Sequence, residues 1–244
     1  MAIGIPECRG YTDARRKLGA SDSTARRELK VLRAAGNHAL RWKRITRDQM
    51  PTFELPAEDD DGQEVRWFSQ AELDLLLSRA EAAIESAALT DKPLARAQRL
   101  QDFIILTYWW GARRSSVEML EVGQVQLNKG VVNLQKPGER ATKKRRPIVP
   151  IFPAQREVLE RRVAGSRDGW LFGRNYTSYR PFLALCEQCG FDEGRRNPHM
   201  LRHSRATHML MAGESIYKVG RLLGDSVTTI DRVYGHHSPE FLAS

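Results

Sequence analysis

Cysteine is scarce in this chain: three thiols in 244 residues. A small, odd number of cysteines in a chain this long does not read as a disulfide framework, and it points to a reducing, cytoplasmic setting. There is no run of about 18 apolar residues, so no transmembrane helix and no membrane partner are expected. The N-terminus lacks the apolar h-region of a secretory signal. Metal ligands are also too few. Cys186 and Cys189 form a C-x-x-C, but the remaining thiol is the distant Cys8, and a zinc site takes about four ligands. His199 and His203 stand at i and i+4. Met200, however, occupies the position where a zinc-protease helix carries Glu, and no carboxylate cluster offers a third ligand. No metal and no cofactor are expected, and the two cysteines read as small side chains near a helix end.

Acidic residues are in deficit. Thirty Asp and Glu face 39 Lys and Arg, a formal net charge of +9 and a pI near 9.7. That balance is the electrostatic footprint of a nucleic-acid partner, although acidic surfaces of other kinds also attract it. The apolar content of 41% supports a real core, and 28% charged residues is ordinary for a globular protein.

Residues 1–20 are polar and poorly periodic. A helix opens at the N-cap candidates Ser21 to Thr24 and runs to about His38, with Leu29, Leu32 and Ala35 at helical spacing. It carries Arg26, Arg27 and Lys30, and as a run these cations suit a DNA backbone. Pro51, Pro56 and the acidic stretch Glu58-Asp59-Asp60-Asp61-Gly62 have no core-building period. They read as a linker, placed at 54–66, between an N-terminal segment (1–53) and a larger domain (67–244). Ser69-Gln70-Ala71-Glu72 is a capping box that opens a helix reaching about Ala88. The next helix, from Asp91 to Trp110, is apolar on most sides and is expected at the centre of the core, with Gly111 stopping it.

Behind it, Arg113 and Arg114 open a further helix. They fit either an anion site or surface salt bridges to Glu118 or Glu121. Between Val122 and Pro153 the period changes to that of short strands, at 125–127, 131–134 and 147–151. The fold class is therefore mainly α with a small three-stranded antiparallel sheet, α+β. The last two strands bracket a basic hairpin tip that includes Lys143, Lys144, Arg145 and Arg146, better explained by phosphate than by solvation alone. Helices follow at 153–163, 179–188, from His199 to a stop at Gly213, from Ser215 to Gly224, and from a Ser226 cap to Tyr234.

His199 and Arg202, three apart, share a helix face, and Tyr234 lies 32 positions after Arg202. Metal-free phosphodiester cleavage needs an in-line nucleophile, fixed cations for the charge on the equatorial oxygens, and an acid for the leaving alkoxide. Tyr234 suits the first need, Arg113, Arg202 and His199 the second, and a hairpin lysine the third. A phenol ordinarily ionises near pH 10, so converging guanidiniums would be expected to help its oxygen attack near neutral pH.

At these residues the chain resembles the tyrosine recombinases of the phage-integrase family. Gly111-Ala112-Arg113-Arg114 is similar to the T-G-x-R box, Thr142-Lys143 to the hairpin T-K, and His199-Met200-Leu201-Arg202-His203 to H-x-L-R-H. Leu223-Gly224-Asp225, nine residues before Tyr234, is similar to L-G-H followed by the nucleophile. Order and spacing agree over residues 67–239. The resemblance implies a DNA breaking-rejoining catalytic domain at 67–244, preceded by a short, incomplete helical core-binding segment. It implies Arg113, Lys143, His199, Arg202 and Tyr234 as catalytic, a 3′-phosphotyrosyl intermediate with release of a 5′-hydroxyl, and no cofactor. The expected partner is double-stranded DNA, bound by a homotetramer that is monomeric in free solution.

Three departures from the family pattern stand out. Asp225 occupies a sixth catalytic position that usually holds a hydrogen-bond donor, and a carboxylate can only accept. It is expected to weaken catalysis, or to turn away and pair with an arginine such as Arg221. The core-binding segment and the stretch after Tyr234 are both short, which suits a compact integrase, a fragment or a decaying remnant. Lys143 is favoured over Lys144, whose side chain points to the opposite side of an extended hairpin. The principal reading is integration or excision of a mobile element. The alternatives are a DNA-binding remnant without full recombination activity and a type IB-like topoisomerase.

Overall fold

The computed structural model describes residues 3–57, 65–87, 91–136, 138 and 146–238, the side chains of 91–93 excepted. The chain divides into two compact units, Met1–Glu64 and Val65–Ser244.

The first unit pairs α1 (Ile5–Lys17) with α2 (Asp22–Arg41). Helix α1 lies in a stretch expected to have no period. Proline in its first turn and a Glu7 carboxylate accepting from the Gly4 amide at 2.8 Å start it. Its buried positions are Cys8 and Thr12, and those of α2 are Ala25 and Leu29. The inward side chains of α1 are a thiol and a hydroxyl, so the helical stripe is invisible to a reading of large apolar residues. Glu28 of α2 ties the pair together, accepting from Arg15 at 2.9 Å and from the Tyr11 hydroxyl at 2.8 Å.

The second unit is built on α3 (Gln70–Ala87) and α4 (Asp91–Trp110), packed against each other. The expected capping box is present: the Ser69 amide donates to Glu72 at 2.8 Å and the Glu72 amide to the Ser69 hydroxyl at 3.3 Å. Leu73, Leu76 and Ala80 form the buried stripe of α3. Helix α4 buries Phe103, Ile104, Leu106 and Trp110, each contributing roughly 2–3 kcal/mol by leaving water. It also buries Asp102 completely, held by Arg161 at 2.6 Å and Arg162 at 2.5 Å.

After α5 (Arg114–Glu118) come β1 (Val125–Gln126), β2 (Val131–Asn133) and β3 (Ile148–Pro150). They form one antiparallel sheet in the order β1-β2-β3, with Val132 paired to Val125 and Val149. The Trp110 indole donates to the Pro150 carbonyl at 2.9 Å, fastening the sheet to the end of α4. The hairpin neck closes where the Leu134 amide meets the Pro147 carbonyl at 3.1 Å. Then follow α6 (Pro153–Gly165), α7 (Tyr179–Gln188), α8 (His199–Met211), α9 (Ile216–Leu223) and α10 (Val227–Tyr234). Helix α8 packs on α4 and on α9. A second apolar cluster of Ala206, Met209, Leu210, Val219, Leu223, Ile230 and Tyr234 joins α8, α9 and α10. Cys186 is buried in the main core, where desolvation pushes its thiol up to about 12, and Cys189 is half-buried at the end of α7.

Candidate active site

Arg113 owes its place to a glycine turn. Helix α4 ends with Gly111 at φ 56°, and the Ala112 amide reaches back to the Thr107 carbonyl at 3.2 Å. A Cβ on Gly111 would stand 2.9 Å from Cδ1 of Leu223. Glycine is therefore required twice over, for the left-handed backbone and for the close approach of α9. The turn leaves Arg113 as the extended N-cap residue of α5, with its side chain half-buried.

Arg202 lies in α8 and is 2% exposed. Its Nη1 donates to the carbonyls of Gly111 at 2.6 Å and Leu223 at 3.0 Å, and its Nη2 donates to Asp225. One guanidinium thus satisfies the open ends of α4 and α9 and still presents an edge to the site.

Asp225 does not turn away toward Arg221. Its Oδ1 accepts from Arg113 at 2.8 Å, and its Oδ2 accepts from Arg202. The cause is local. Gly224 ends α9 in the left-handed conformation (φ 71°), and the Asp225 amide returns to the Gly220 carbonyl at 3.1 Å. The chain then reverses so that residue 225 faces α5 and α8, while Arg221 stays exposed on α9.

Tyr234 is the last residue of α10 and is 3% exposed. Its hydroxyl lies 2.7 Å from Nδ1 of His203. The phenol is not activated by the guanidiniums as expected. Burial, with a further push from Asp225, drives it up to about 12, against the opposing pull of Arg202. His203 was not among the expected site residues, although it is the last letter of the H-x-L-R-H run. Burial, then the neighbouring His199 and Arg202, push it down to about 4, so the ring is neutral near pH 7.

His199 is exposed in the first turn of α8, where its amide is capped by Asn197 at 2.9 Å. Its ring packs edge-on to that of His203, with centroids 4.5 Å apart. Desolvation, followed by the charges of Arg202 and Arg113, lowers its pKa below the ordinary histidine value. Arg114 takes no part: it lies 3.8 Å from Glu118 and over the Tyr179 ring.

Arg113, His199, Arg202, Asp225 and Tyr234 therefore come together from four segments of the chain, His199 and Arg202 both from α8. Lys143, Lys144 and Arg145 lie outside the described residues. Arg146 is half-buried at the hairpin neck. In the first unit Arg27 and Lys30 are exposed on α2, and Arg26 is half-buried, donating to the Pro56 carbonyl. Among the described residues no group of three or more His, Cys, Asp or Glu side chains is placed to hold a metal ion, and no helix is long and apolar enough to cross a membrane.

Residues 66–240 match the model of the phage integrase family. Among curated proteins, one from Pseudomonas phage Pf1 is 34% identical over 134 residues, 55% of this chain and 37% of its own length. The tyrosine recombinase XerC of Pseudomonas aeruginosa (strain LESB58) is 30% identical over 158 residues, 61% of this chain and 50% of its own. This chain thus spans half or less of the length of these relatives. Among solved structures, the Tn1549 transposon integrase (residues 82–397) in complex with circular intermediate DNA aligns with a TM-score of 0.72 at 18% identity. That alignment covers 98% of this chain and 84% of the other. The XerH recombinase bound to a palindromic difH substrate aligns with a TM-score of 0.71 at 16% identity, covering 97% and 69%. Both likenesses are likenesses of fold.

Proposed function

The chain belongs to the phage integrase family, and from that premise we propose that it cleaves and rejoins DNA strands in site-specific recombination through a covalent bond to Tyr234. The observation that carries this reading is the sharing of one anionic group by Arg113 and Arg202, beside a tyrosine hydroxyl bonded to the residue next to Arg202. In the reading, the two guanidiniums hold the non-bridging oxygens of the scissile phosphate and offset the charge that builds there in the transition state. Tyr234 Oη attacks phosphorus and the P–O5′ bond breaks, leaving a 3′-phosphotyrosyl link and a 5′-oxygen. The phenol proton passes to His203. The leaving oxygen takes a proton from Lys143, the expected general acid of the hairpin. His199, neutral and exposed at the rim, donates one further hydrogen bond to the phosphate. Attack by a second 5′-hydroxyl reverses the step on a new strand, so bond energy is conserved and no nucleotide cofactor is needed.

Proton transfer is coupled to attack rather than preceding it. Burial raises the phenol and lowers His203, so transfer ahead of bond formation is uphill. Bond formation to phosphorus removes that cost, because the phenol oxygen becomes acidic as it bonds.

Double-stranded DNA is the proposed partner. The two solved relatives described above are complexes with DNA. In this chain Arg27, Lys30 and the basic hairpin, including Lys144, Arg145 and Arg146, would contact phosphate. Four protomers on two duplexes would form the working assembly, with the free chain a monomer in a bacterial cytoplasm. A second reading, DNA binding without recombination, draws on Asp225, which leaves both arginines engaged.

A plasmid carrying, in direct orientation, two copies of a repeated sequence identified in the genomic DNA on either side of the gene separates these readings. Recombination yields two circles. Binding with no product supports the second reading, and relaxation without exchange points to topoisomerase-like chemistry.

A further inference from the structure

Two guanidiniums closed on one carboxylate have the geometry of an anion site that is already filled. Arg113 donates to Oδ1 of Asp225 at 2.8 Å and Arg202 donates to Oδ2. A phosphodiester would offer its two non-bridging oxygens to the same pair of donors. We propose that Asp225 is an internal stand-in for the substrate phosphate, so that the free chain keeps its cradle closed and DNA enters it only by exchange, phosphate in and carboxylate out. This rests on the reading of Arg113 and Arg202 as the phosphate cradle and assigns that cradle an autoinhibitory contact.

Charge favours exchange over coexistence. A phosphodiester and a carboxylate each carry one negative charge, so replacing one by the other leaves the cradle equally neutralised. A phosphate arriving with Asp225 still in place would set two anions against each other between two cations, and an ionised carboxylate has no proton to donate to either.

The cradle also survives the departure of Asp225. Nη1 of Arg202 is fixed independently by the Gly111 and Leu223 carbonyls. The Arg113 backbone is set by the Gly111 turn. Only the Asp225 side chain has to leave, and it stands in a two-residue link, Gly224-Asp225, before the Ser226 cap of α10. That link closes tightly on α9: a Cβ on Gly220 would stand 3.2 Å from the Asp225 carbonyl oxygen. The backbone is therefore pinned while the carboxylate sits at the end of two rotatable bonds.

The test uses the full chain and inorganic phosphate at constant ionic strength, with affinity read by calorimetric titration. Asp225→Asn keeps the shape and removes the charge. It is expected to bind phosphate at least tenfold tighter than the natural chain, with the gain lost when Arg113→Ala is added. Equal or weaker binding by Asp225→Asn, in a background where Arg113→Ala still weakens binding, overturns the proposal alone. Arg113→Ala without effect in either background overturns the cradle reading beneath it, and the proposal with it. If Asp225→Asn does not fold, the natural chain decides by the carbon-13 resonance of the Asp225 side-chain carboxyl. Saturating phosphate is expected to move that resonance toward the position of a solvent-exposed aspartate, and an unmoved resonance overturns the proposal.

Discussion

Nδ1 of His203 lies 2.7 Å from the hydroxyl of Tyr234, and the two side chains come from helices α8 and α10, 31 residues apart in sequence. The bond joins the proposed nucleophile to the helix that carries Arg202, so the phenol oxygen and the cradle are positioned by one element. A neutral imidazole with its proton on Nε2 leaves the Nδ1 lone pair free to accept from the phenol. Replacing His203 by Ala removes both the orientation and the proton acceptor. Single-turnover formation of the covalent adduct should fall by about 10²-fold or more, in the range of general-base losses. His203→Gln, which retains a hydrogen-bonding side chain, should fall less. An unchanged rate in His203→Ala would remove this residue from the mechanism.

The same histidine makes stability depend on pH. Its folded pKa, about 4, lies below the ordinary histidine value of 6.5. The unfolded chain therefore binds the proton more readily between these values. The stabilisation is fully present above about pH 6.5 and is lost as pH falls toward 4. His199 is shifted in the same direction and adds to the trend. Urea unfolding from pH 4 to 7 should show the natural chain losing on the order of 2–3 kcal/mol more than His203→Gln over this window. Parallel profiles for the two chains would mean that His203 is not held neutral by its site.

Arg113 and Arg202 should separate into functional and structural roles. Arg202 is buried and supplies donors to the ends of α4 and α9 as well as to Asp225. A lysine cannot reproduce that fork, so Arg202→Lys should cost about 2–4 kcal/mol of stability as well as cleavage. Arg113 is half-buried and sits on a turn held by its backbone. Arg113→Lys should therefore cost no more than about 1 kcal/mol while cleavage is still lost. Denaturant midpoints alongside adduct yields measure both, and equal destabilisation by the two variants would contradict this division.

The leaving 5′-oxygen needs a proton, and Lys143 is the proposed donor. Lys143→Ala should abolish cleavage of an ordinary duplex, and Lys144→Ala should leave most of it. A duplex with sulfur in place of the bridging 5′-oxygen has a leaving group that departs without protonation. It should restore cleavage by Lys143→Ala. Loss of cleavage only in Lys144→Ala would reverse the assignment.

Much of this site is legible in the sequence because its parts depend on local rules. Helix stops at Gly111 and Gly224 and caps at Ser69, Ser215 and Ser226 are set within a few residues. His199 and Arg202 share a face by helical periodicity alone. What escaped depends on neighbours distant in the chain. Helix α1 shows no stripe because its inward residues, Cys8 and Thr12, need Ala25 and Leu29 of α2 to become a core. Arg221 is closer in sequence to Asp225 than either true partner, but the left-handed Gly224 turns the carboxylate toward Arg113 and Arg202. The phenol of Tyr234 was expected to be acidified by guanidiniums. Its burial in the α8–α10 cluster, with Asp225 nearby, outweighs them.

The most direct test of the account is to find where the covalent bond forms. A nicked duplex built from a repeated sequence identified in the genomic DNA on either side of the gene, which loses its short 5′ strand on cleavage, should trap an adduct that survives denaturation. After nuclease and protease digestion, mass spectrometry should find a 3′-linked nucleotide on the peptide carrying Tyr234, and Tyr234→Phe should give none while still binding the duplex. An adduct on another residue, or none from a chain that demonstrably binds the duplex, would contradict the account.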